Sequence, residues 1–325
     1  MRYIEVAGER LSVVGLGTWQ FGSREWGYGP HYAQHDAIDI ANRALDLGVN
    51  LLDTAELYGF GRSEEIVGRV LEKRRLEVFV ATKLFPLLPT PTVTRWRAAG
   101  SLRRLGIDAI DLYQIHQPNP AVPLGWQMAG MRELMAGGKV RHAGVSNFSL
   151  ARWQAAEGAL GAAILSNQVR FNLVDRRPLL ELVPWAQRHG RLVIAYSPLA
   201  QGLLSARYDP DHRPAGMRGS MAAFLPENLE RARPLMNELR EVAKRHDATP
   251  AQVALAWVAR HPNVVVIPGA STVAQVEANA QAAELELSDD EASQLLAAAE
   301  TYEPVRGVAA LGRVIGERAK AVFTR

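Results

Sequence analysis

The feature that most constrains this chain is a rhythm. Short apolar runs rich in Val, Ile and Leu alternate with longer stretches of helical period. The runs cover residues 13–16, 50–53, 78–82, 112–115, 142–145, 165–169, 192–196 and 264–268. They are too uniformly apolar to leave one face in water, so they read as parallel strands covered on both sides. Helices are expected between them, among others over 36–47, 63–71, 91–105 and 179–189. Ser63 stands where a cap for the second of these would stand, with Glu64 and Glu65 in its positive first turn. Gly48 and Gly190 follow helices where a left-handed residue is wanted. Repeated β-then-α units without a break in composition predict a single (β/α)8 barrel over residues 1–325. A doubly wound sheet is the alternative architecture.

Three pieces fall outside the repeat. "RYIEV" and "ERLSV" around Ala7-Gly8 predict a β-hairpin that covers the N-terminal end of the barrel. The stretch 205–226 is long and rich in Gly, Pro, Arg and Asp, as a functional loop would be. The tail carries Val308, Leu311, Ile315 and Val322 at roughly helical spacing, which predicts an extra helical segment packed on the barrel.

Composition removes several classes of function. The chain contains no cysteine, which excludes disulfides, zinc–thiolate sites, iron–sulfur clusters and thiol nucleophiles together. That fits a reducing cytoplasm, as does an opening "MRYIEVAGER" without the apolar core of a signal peptide. The net charge is only +3 and like charges are not blocked together, so no nucleic-acid partner is expected. No apolar run approaches the roughly 18 residues of a membrane span. A soluble monomer or weak homo-oligomer acting on a small molecule is the expectation.

Catalytic groups of such barrels stand at the C-terminal ends of strands. The second run ends in Asp53, with Tyr58 in the loop behind it. "VATK" ends the third in Lys83, and "YQIH" ends the fourth in His116. The fifth runs into Ser146 and Asn147, the sixth carries Gln168, the seventh runs into "YSPLAQG", and the eighth ends "IPGAST". Each residue alone has an ordinary explanation: a turn residue, a surface charge, a satisfied core group. Delivered to one mouth, the acid, phenol, ammonium and imidazole form a chemical set. A phenol with a pKa of about 10 holds its proton at neutral pH and can give it away. A nearby ammonium lowers that pKa, and Asp53 supplies the counter-charge a buried lysine needs. A histidine beside the phenol can orient a carbonyl oxygen. Such a site protonates an oxygen as negative charge develops on it.

Something must attack the carbonyl carbon. There is no cysteine and no Gly-x-Ser-x-Gly elbow for acyl chemistry. His31 and His35 have no evident third ligand and no His-Glu-x-x-His occurs, so no metal is expected. A hydride from a nicotinamide fits best. Ser146, Asn147 and Gln168 suit a carboxamide, Tyr196 offers a flat face for the ring, and "PGAST" opens a helix whose N-terminus attracts phosphate. "GLGTW" at 15–19 stops short of Gly-x-Gly-x-x-Gly, so the cofactor would lie extended across the barrel mouth.

These motifs resemble the aldo-keto reductase family over nearly the whole chain. "DTAELYGFGRSE", "VATK" and "DLYQIHQP" match the segments of its catalytic tetrad, which implies that role for Asp53, Tyr58, Lys83 and His116. "GVSNF", "SNQVRFN", "AYSPLAQGLL" and "IPGASTVAQVEAN" match its cofactor-binding segments. The resemblance implies NADP(H) contacts from Gly17, Thr18, Trp19 and Asp53, then from Ser146, Asn147, Gln168 and Tyr196. Further contacts would come from Ser197, Pro198, Leu199, Gln201, Gly202 and Leu204. Arg218 would reach over from the long loop, and Ile267, Gly269, Ala270, Ser271, Gln275 and Asn279 would hold the adenosine end. It implies carbonyl-to-alcohol reduction in a pocket of Trp19, Gln20, Trp26, Tyr58, Phe85 and His116. Ala278-Asn279 replaces the family's frequent Glu-Asn, and Ser271 and Thr272 stand where many members place a cation for the 2′-phosphate, so NAD(H) remains the alternative cofactor. A nucleotide-sensing regulatory barrel with slow turnover, or a lyase or isomerase using Tyr58 and Lys83, are the alternative functions.

Overall fold

The computed structural model describes residues 1–24, 27–29, 32–307, 309, 310 and 313. The tail residues Val308, Leu311, Ile315 and Val322, and also Trp26 and His31, lie outside the described residues. A hairpin of β1 (Tyr3–Val6) and β2 (Glu9–Ser12) precedes eight parallel strands. These are β3 (Leu16–Gly17), β4 (Leu51–Asp53), β5 (Phe79–Leu84), β6 (Ile110–Ile115), β7 (Val140–Ser146), β8 (Ser166–Arg170), β9 (Leu192–Tyr196) and β10 (Val264–Val266). Each strand pairs with the next in chain order. The first and last meet as well. Val266 donates to the carbonyl of Val13 at 3.0 Å, while Gly15 and Gly17 donate to those of Val266 and Pro268 at 2.8 and 3.1 Å. The sheet therefore curls into the expected (β/α)8 barrel and is not doubly wound.

Helices surround the barrel: α1 (Gln34–Asp46), α2 (Arg62–Arg74), α3 (Pro91–Leu105), α4 (Leu124–Ala136), α5 (Leu150–Leu160) and α6 (Leu182–Arg188). Local chemistry sets their limits. Thr90 caps α3 through the amide of Val93, Pro91 begins it, and left-handed Gly106 ends it. Ser149 and Gly161 bracket α5 in the same way. Gly48 and Gly190 are left-handed, as the spacing predicted. Ser63 is a correction. The N-cap of α2 is the left-handed Gly61, without a side-chain cap, and Ser63 lies inside the first turn, fully buried. Between β9 and β10 the chain adds a short turn α7 (Gly216–Gly219), then α8 (Pro226–Arg245) and α9 (Pro250–Ala259); α10 (Val273–Gln281) and α11 (Asp289–Glu300) follow β10.

The hairpin turns through Ala7 and Gly8, both at positive φ (50° and 79°), the geometry that suits the twist of two-residue turns. Tyr3 donates its hydroxyl proton to the carbonyl of Gly48 at 3.0 Å, and Glu9 pairs with Arg141 and His142. Gly48 and Arg141 stand at the N-terminal ends of β4 and β7, so the hairpin covers the bottom of the barrel. The opposite end is left open.

The seam between β3 and β10 has no room for a side chain. A Cβ on Gly17 would lie 2.8 Å from the carbonyl oxygen of Ile267, a backbone atom that cannot swing away. Gly17→Ala is expected to cost about 1–3 kcal/mol, as overpacking does, read as a lowered midpoint in urea unfolding; an unchanged midpoint would mean that the seam yields freely.

Candidate active site

The open end of the barrel holds a cavity of about 1490 Å³. Ligand pockets commonly span about 300–1,000 Å³, so there is space for more than one small molecule. Its wall is built from strand ends. Asp53 closes β4, His116 follows β6, Ser146 closes β7, Gln168 lies in β8 and Tyr196 closes β9, while Lys83, one residue before the end of β5, is fully buried behind the wall.

Below the cavity lies an ion pair. Lys83, fully buried, donates from Nζ to Asp53 Oδ1 at 2.6 Å, to the carbonyl of Thr54 at 2.9 Å and to the phenol oxygen of Tyr58 at 3.2 Å. Gln168 donates to the other carboxylate oxygen at 2.7 Å. Tyr58 reaches the lysine because residues 58–61 form a tight turn in which Gly59, Phe60 and Gly61 all take positive φ. Two glycines accept that conformation readily, whereas Phe60 is strained and its ring points almost wholly into solvent. The Tyr58 ring stacks on Trp19 at 5.9 Å and meets His116 edge-on at 5.8 Å.

Burial dominates the electrostatics. It raises the Tyr58 phenol above its ordinary value, and the pull of Lys83 downward offsets this only in part. The phenol is thus protonated at neutral pH, but its pKa is not lowered overall as the ammonium alone would suggest. Burial likewise drives the Asp53 carboxyl up against the pull of Lys83. For Lys83 burial works downward, and Asp53 and Tyr58 more than offset it, so its proton is held more tightly than usual. His116 is pushed down to about 3, by burial first and Lys83 second. Its Nδ1 is buried without a hydrogen-bond partner. Buried N–H groups are orphaned less readily than acceptors, which favours the tautomer of the neutral ring with its proton on Nε2.

Beside this centre, Tyr196 donates to Asn147 Oδ1 at 2.9 Å, and Asn147 donates from Nδ2 to Ser146 Oγ at 3.0 Å. Positive φ recurs in the segments that follow, at Asn147, Ser197, Ala200, Gln201, Gly202 and Ala206. Where a residue of negative φ is followed by a left-handed one, as at Leu199 and Ala200, successive N–H groups turn toward one side, a concavity that suits anions. Ser197, Pro198, Leu199, Gln201, Gly202 and Arg218 line the cavity, as do Gly17, Trp19, Gln20, Ile267, Gly269, Gln275 and Asn279.

Other expected residues lie elsewhere. Thr18, Leu204 and Ala270 are buried behind the wall. Phe85 is absent from the wall as well; its amide donates to Glu56 Oε1 at 2.6 Å and its ring faces the Arg97 guanidinium at 6.0 Å. Ser271 opens on a smaller pocket of about 240 Å³ shared with Asp36, Asp39 and Thr272. Three wall cations escaped sequence reasoning: Arg24, Arg170 and Arg207. Strand period alone could have found Arg170, two residues beyond Gln168 on the same face of β8; its guanidinium lies 5.9 Å from the centre of the Tyr196 ring.

The model of the aldo/keto reductase family matches residues 13–300. The chain belongs to the aldo/keto reductase family. It is 53% identical to an uncharacterised oxidoreductase of Mycobacterium tuberculosis, over 94% of this chain and 95% of the relative. It is 34% identical to a methylglyoxal reductase of Escherichia coli, over 96% and 99% respectively. Among solved structures, an aldo-keto reductase from Klebsiella pneumoniae in complex with NADPH is 30% identical, with a TM-score of 0.73 over 94% of this chain and 98% of the other. Among the described residues of this aldo/keto reductase, no group of three or more acidic or histidine side chains could hold a metal ion, and no helix is long and apolar enough to cross a membrane.

The state of His116 can be read directly. Its imidazole should show no protonation in ring nitrogen NMR between roughly pH 8 and 5, the range in which ordinary histidines titrate. The unfolded chain takes up that proton near 6.5 and the folded chain only at about 3, so acidification through this window lowers stability. A His116 transition near pH 6.5 would remove the neutral donor.

Proposed function

We propose that this member of the aldo/keto reductase family reduces aldehydes or ketones to alcohols with NADP(H), and that Tyr58 is the general acid. One observation carries the reading. The Tyr58 phenol, protonated at neutral pH, stands 3.2 Å from a buried ammonium and beside a neutral imidazole on the wall of the cavity.

The residues fit a nicotinamide dinucleotide. The cavity is large enough for cofactor and substrate together and runs from Tyr58 and His116 to Gln275 and Asn279. Ser146, Asn147 and Gln168 present amide and hydroxyl groups beside the Tyr196 ring, the composition a carboxamide on an aromatic ring requires. The turns after Tyr196 and the Arg218 side chain suit a pyrophosphate. When bound, the nicotinamide supplies the hydride. The chain's own groups do the rest. His116 Nε2–H donates to the carbonyl oxygen and fixes the carbonyl against the phenol. Tyr58 gives its proton to that oxygen as charge develops there. Lys83 stabilises the phenolate left behind, and Asp53 keeps the lysine in place without touching the substrate. Alcohol oxidation uses the same groups in reverse.

The methylglyoxal reductase relative makes small reactive aldehydes the first substrates to try. NADP(H) rests on the resemblance and on the NADPH-bound relative. One observation favours NAD(H) instead. Ser271, where a cation would meet the 2′-phosphate, shares its pocket with the carboxylates of Asp36 and Asp39.

Purified protein with either cofactor and a panel of carbonyl compounds, methylglyoxal and 4-nitrobenzaldehyde among them, tests the reading through loss of absorbance at 340 nm. Tight cofactor binding without turnover would make the chain a sensor, and no cofactor binding would sink the reading. Tyr58→Phe should lose about 10²-fold or more in kcat, the scale of general acid catalysis, with cofactor affinity unchanged. Comparable turnover in that variant would take the proton-donor role from Tyr58.

A further inference from the structure

The stretch "GRSE" that closes the Tyr58 turn has no part in the mechanism above, yet two of its side chains are fully buried. Ser63 and Glu64 stand side by side in the first turn of α2. Ser63 Oγ donates to the carbonyl of Thr18 at 2.9 Å and accepts from Thr54 Oγ1 at 2.9 Å. Thr18 Oγ1, 2.7 Å from the same oxygen, donates to the carbonyl of Asp53 at 2.9 Å. Glu64 accepts from Thr82 Oγ1 at 2.6 Å and from Arg104 Nε at 2.6 Å.

These partners are the neighbours of the reacting groups. Thr54 is the residue whose carbonyl accepts from Lys83 Nζ. Thr18 precedes Trp19, which stacks on Tyr58. Thr82 precedes Lys83 in β5, and side chains alternate along a strand, so Glu64 grips the outside of β5 one residue from the point where Lys83 projects inward. The Tyr58 turn runs straight into α2. The start of α2 therefore carries the phenol, while its two buried side chains hold the strand ends that carry the ammonium and its acceptors.

We propose that Ser63 and Glu64 are positioning residues that set the separation of the Tyr58 phenol and the Lys83 ammonium, Ser63 by clamping the end of β4 through Thr54 and Thr18, Glu64 by clamping β5 through Thr82. A buried serine also satisfies backbone groups for stability alone. The hydroxyl that donates to Ser63 belongs to the residue whose carbonyl accepts from the lysine, a link that stability alone does not require. The proposal rests on the assignment of Tyr58 as general acid.

The test compares Ser63→Ala, Thr54→Val and Thr54→Ser. Thr54→Val keeps the side-chain shape and loses the hydroxyl that donates to Ser63; Thr54→Ser keeps the hydroxyl. Ser63→Ala and Thr54→Val should each lower kcat about 10-fold, because displacements well under an ångström at a reacting centre are felt at that scale. KM and cofactor affinity should stay near wild type. A lysine held less firmly pulls the phenol down less, so the pH dependence of alcohol oxidation, which needs the phenolate, should move to higher pH in both. Thr54→Ser should restore wild-type kcat and pH dependence. Should Ser63→Ala fail to fold, Thr54→Val against Thr54→Ser decides alone. Wild-type kcat and pH profile in the folded variants, with only a lowered melting temperature, would overturn the proposal, as would equal losses in Thr54→Val and Thr54→Ser. A loss of about 10²-fold in Tyr58→Phe beside wild-type kcat in Ser63→Ala and Thr54→Val would remove the clamp and leave the general acid standing. A wild-type chain without turnover would remove both.

Discussion

A buried ammonium is the constraint around which the open end of this barrel is organised. Removing a lysine head group from water costs several kcal/mol even after the protein relaxes. Lys83 recovers that cost only through three acceptors at once, from Asp53, the Thr54 backbone and Tyr58. Those acceptors lie on β4 and on the turn behind it, and the far oxygen of Asp53 is held from β8 by Gln168. Apolar groups of equal volume would often be as stable as such a pair, so fold stability alone does not require it. It supplies a charge beside a phenol where water cannot screen it.

The surrounding structure divides the work accordingly. The bottom of the barrel is covered by a hairpin with a two-residue turn and by ion pairs to Glu9, while the seam that closes the barrel at Gly17 is tight enough to forbid a methyl group. The mouth carries the conformational strain. Non-glycine residues at positive φ cluster at Phe60, Asn147, Ser197, Ala200, Gln201 and Ala206, each an unfavourable conformation that persists only when its surroundings over-determine it. A closed eight-stranded sheet supplies that rigidity, which is why irregular backbone can be concentrated at the end where ligands would enter.

Much of this was legible in the sequence. The strands were visible because parallel strands covered on both faces are apolar throughout, and their ends were visible because the first polar residue after each run marks the mouth. Asp53, His116 and Ser146 were placed on the cavity wall by that rule, and Gln168 was found within the sixth run itself. The readings that failed depend on which way a side chain turns. Ser63 looks like a helix cap, but the glycine-rich turn moves the cap to Gly61 and drives the serine inward. Phe85 follows a strand as the others do, but the Glu56 contact and the Arg97 guanidinium hold it off the wall. The Tyr58 phenol was expected to be lowered by Lys83. Burial, which no local pattern reveals, outweighs the ammonium.

The sequence by itself determined the repeat, the barrel and the chemical inventory of the mouth, because these follow from periodicity and from residue types at strand ends, and its motifs carried the resemblance to the family. Only the tertiary structure decided how that inventory is wired. Whether a hydroxyl caps a helix or clamps a strand, whether a phenol is raised or lowered, and whether the Phe85 ring reaches the cavity are set by distances between segments far apart in the chain. Hydrogen bonds and desolvation act over a few ångströms in space, and Asp53 meets Gln168 across 115 positions of sequence.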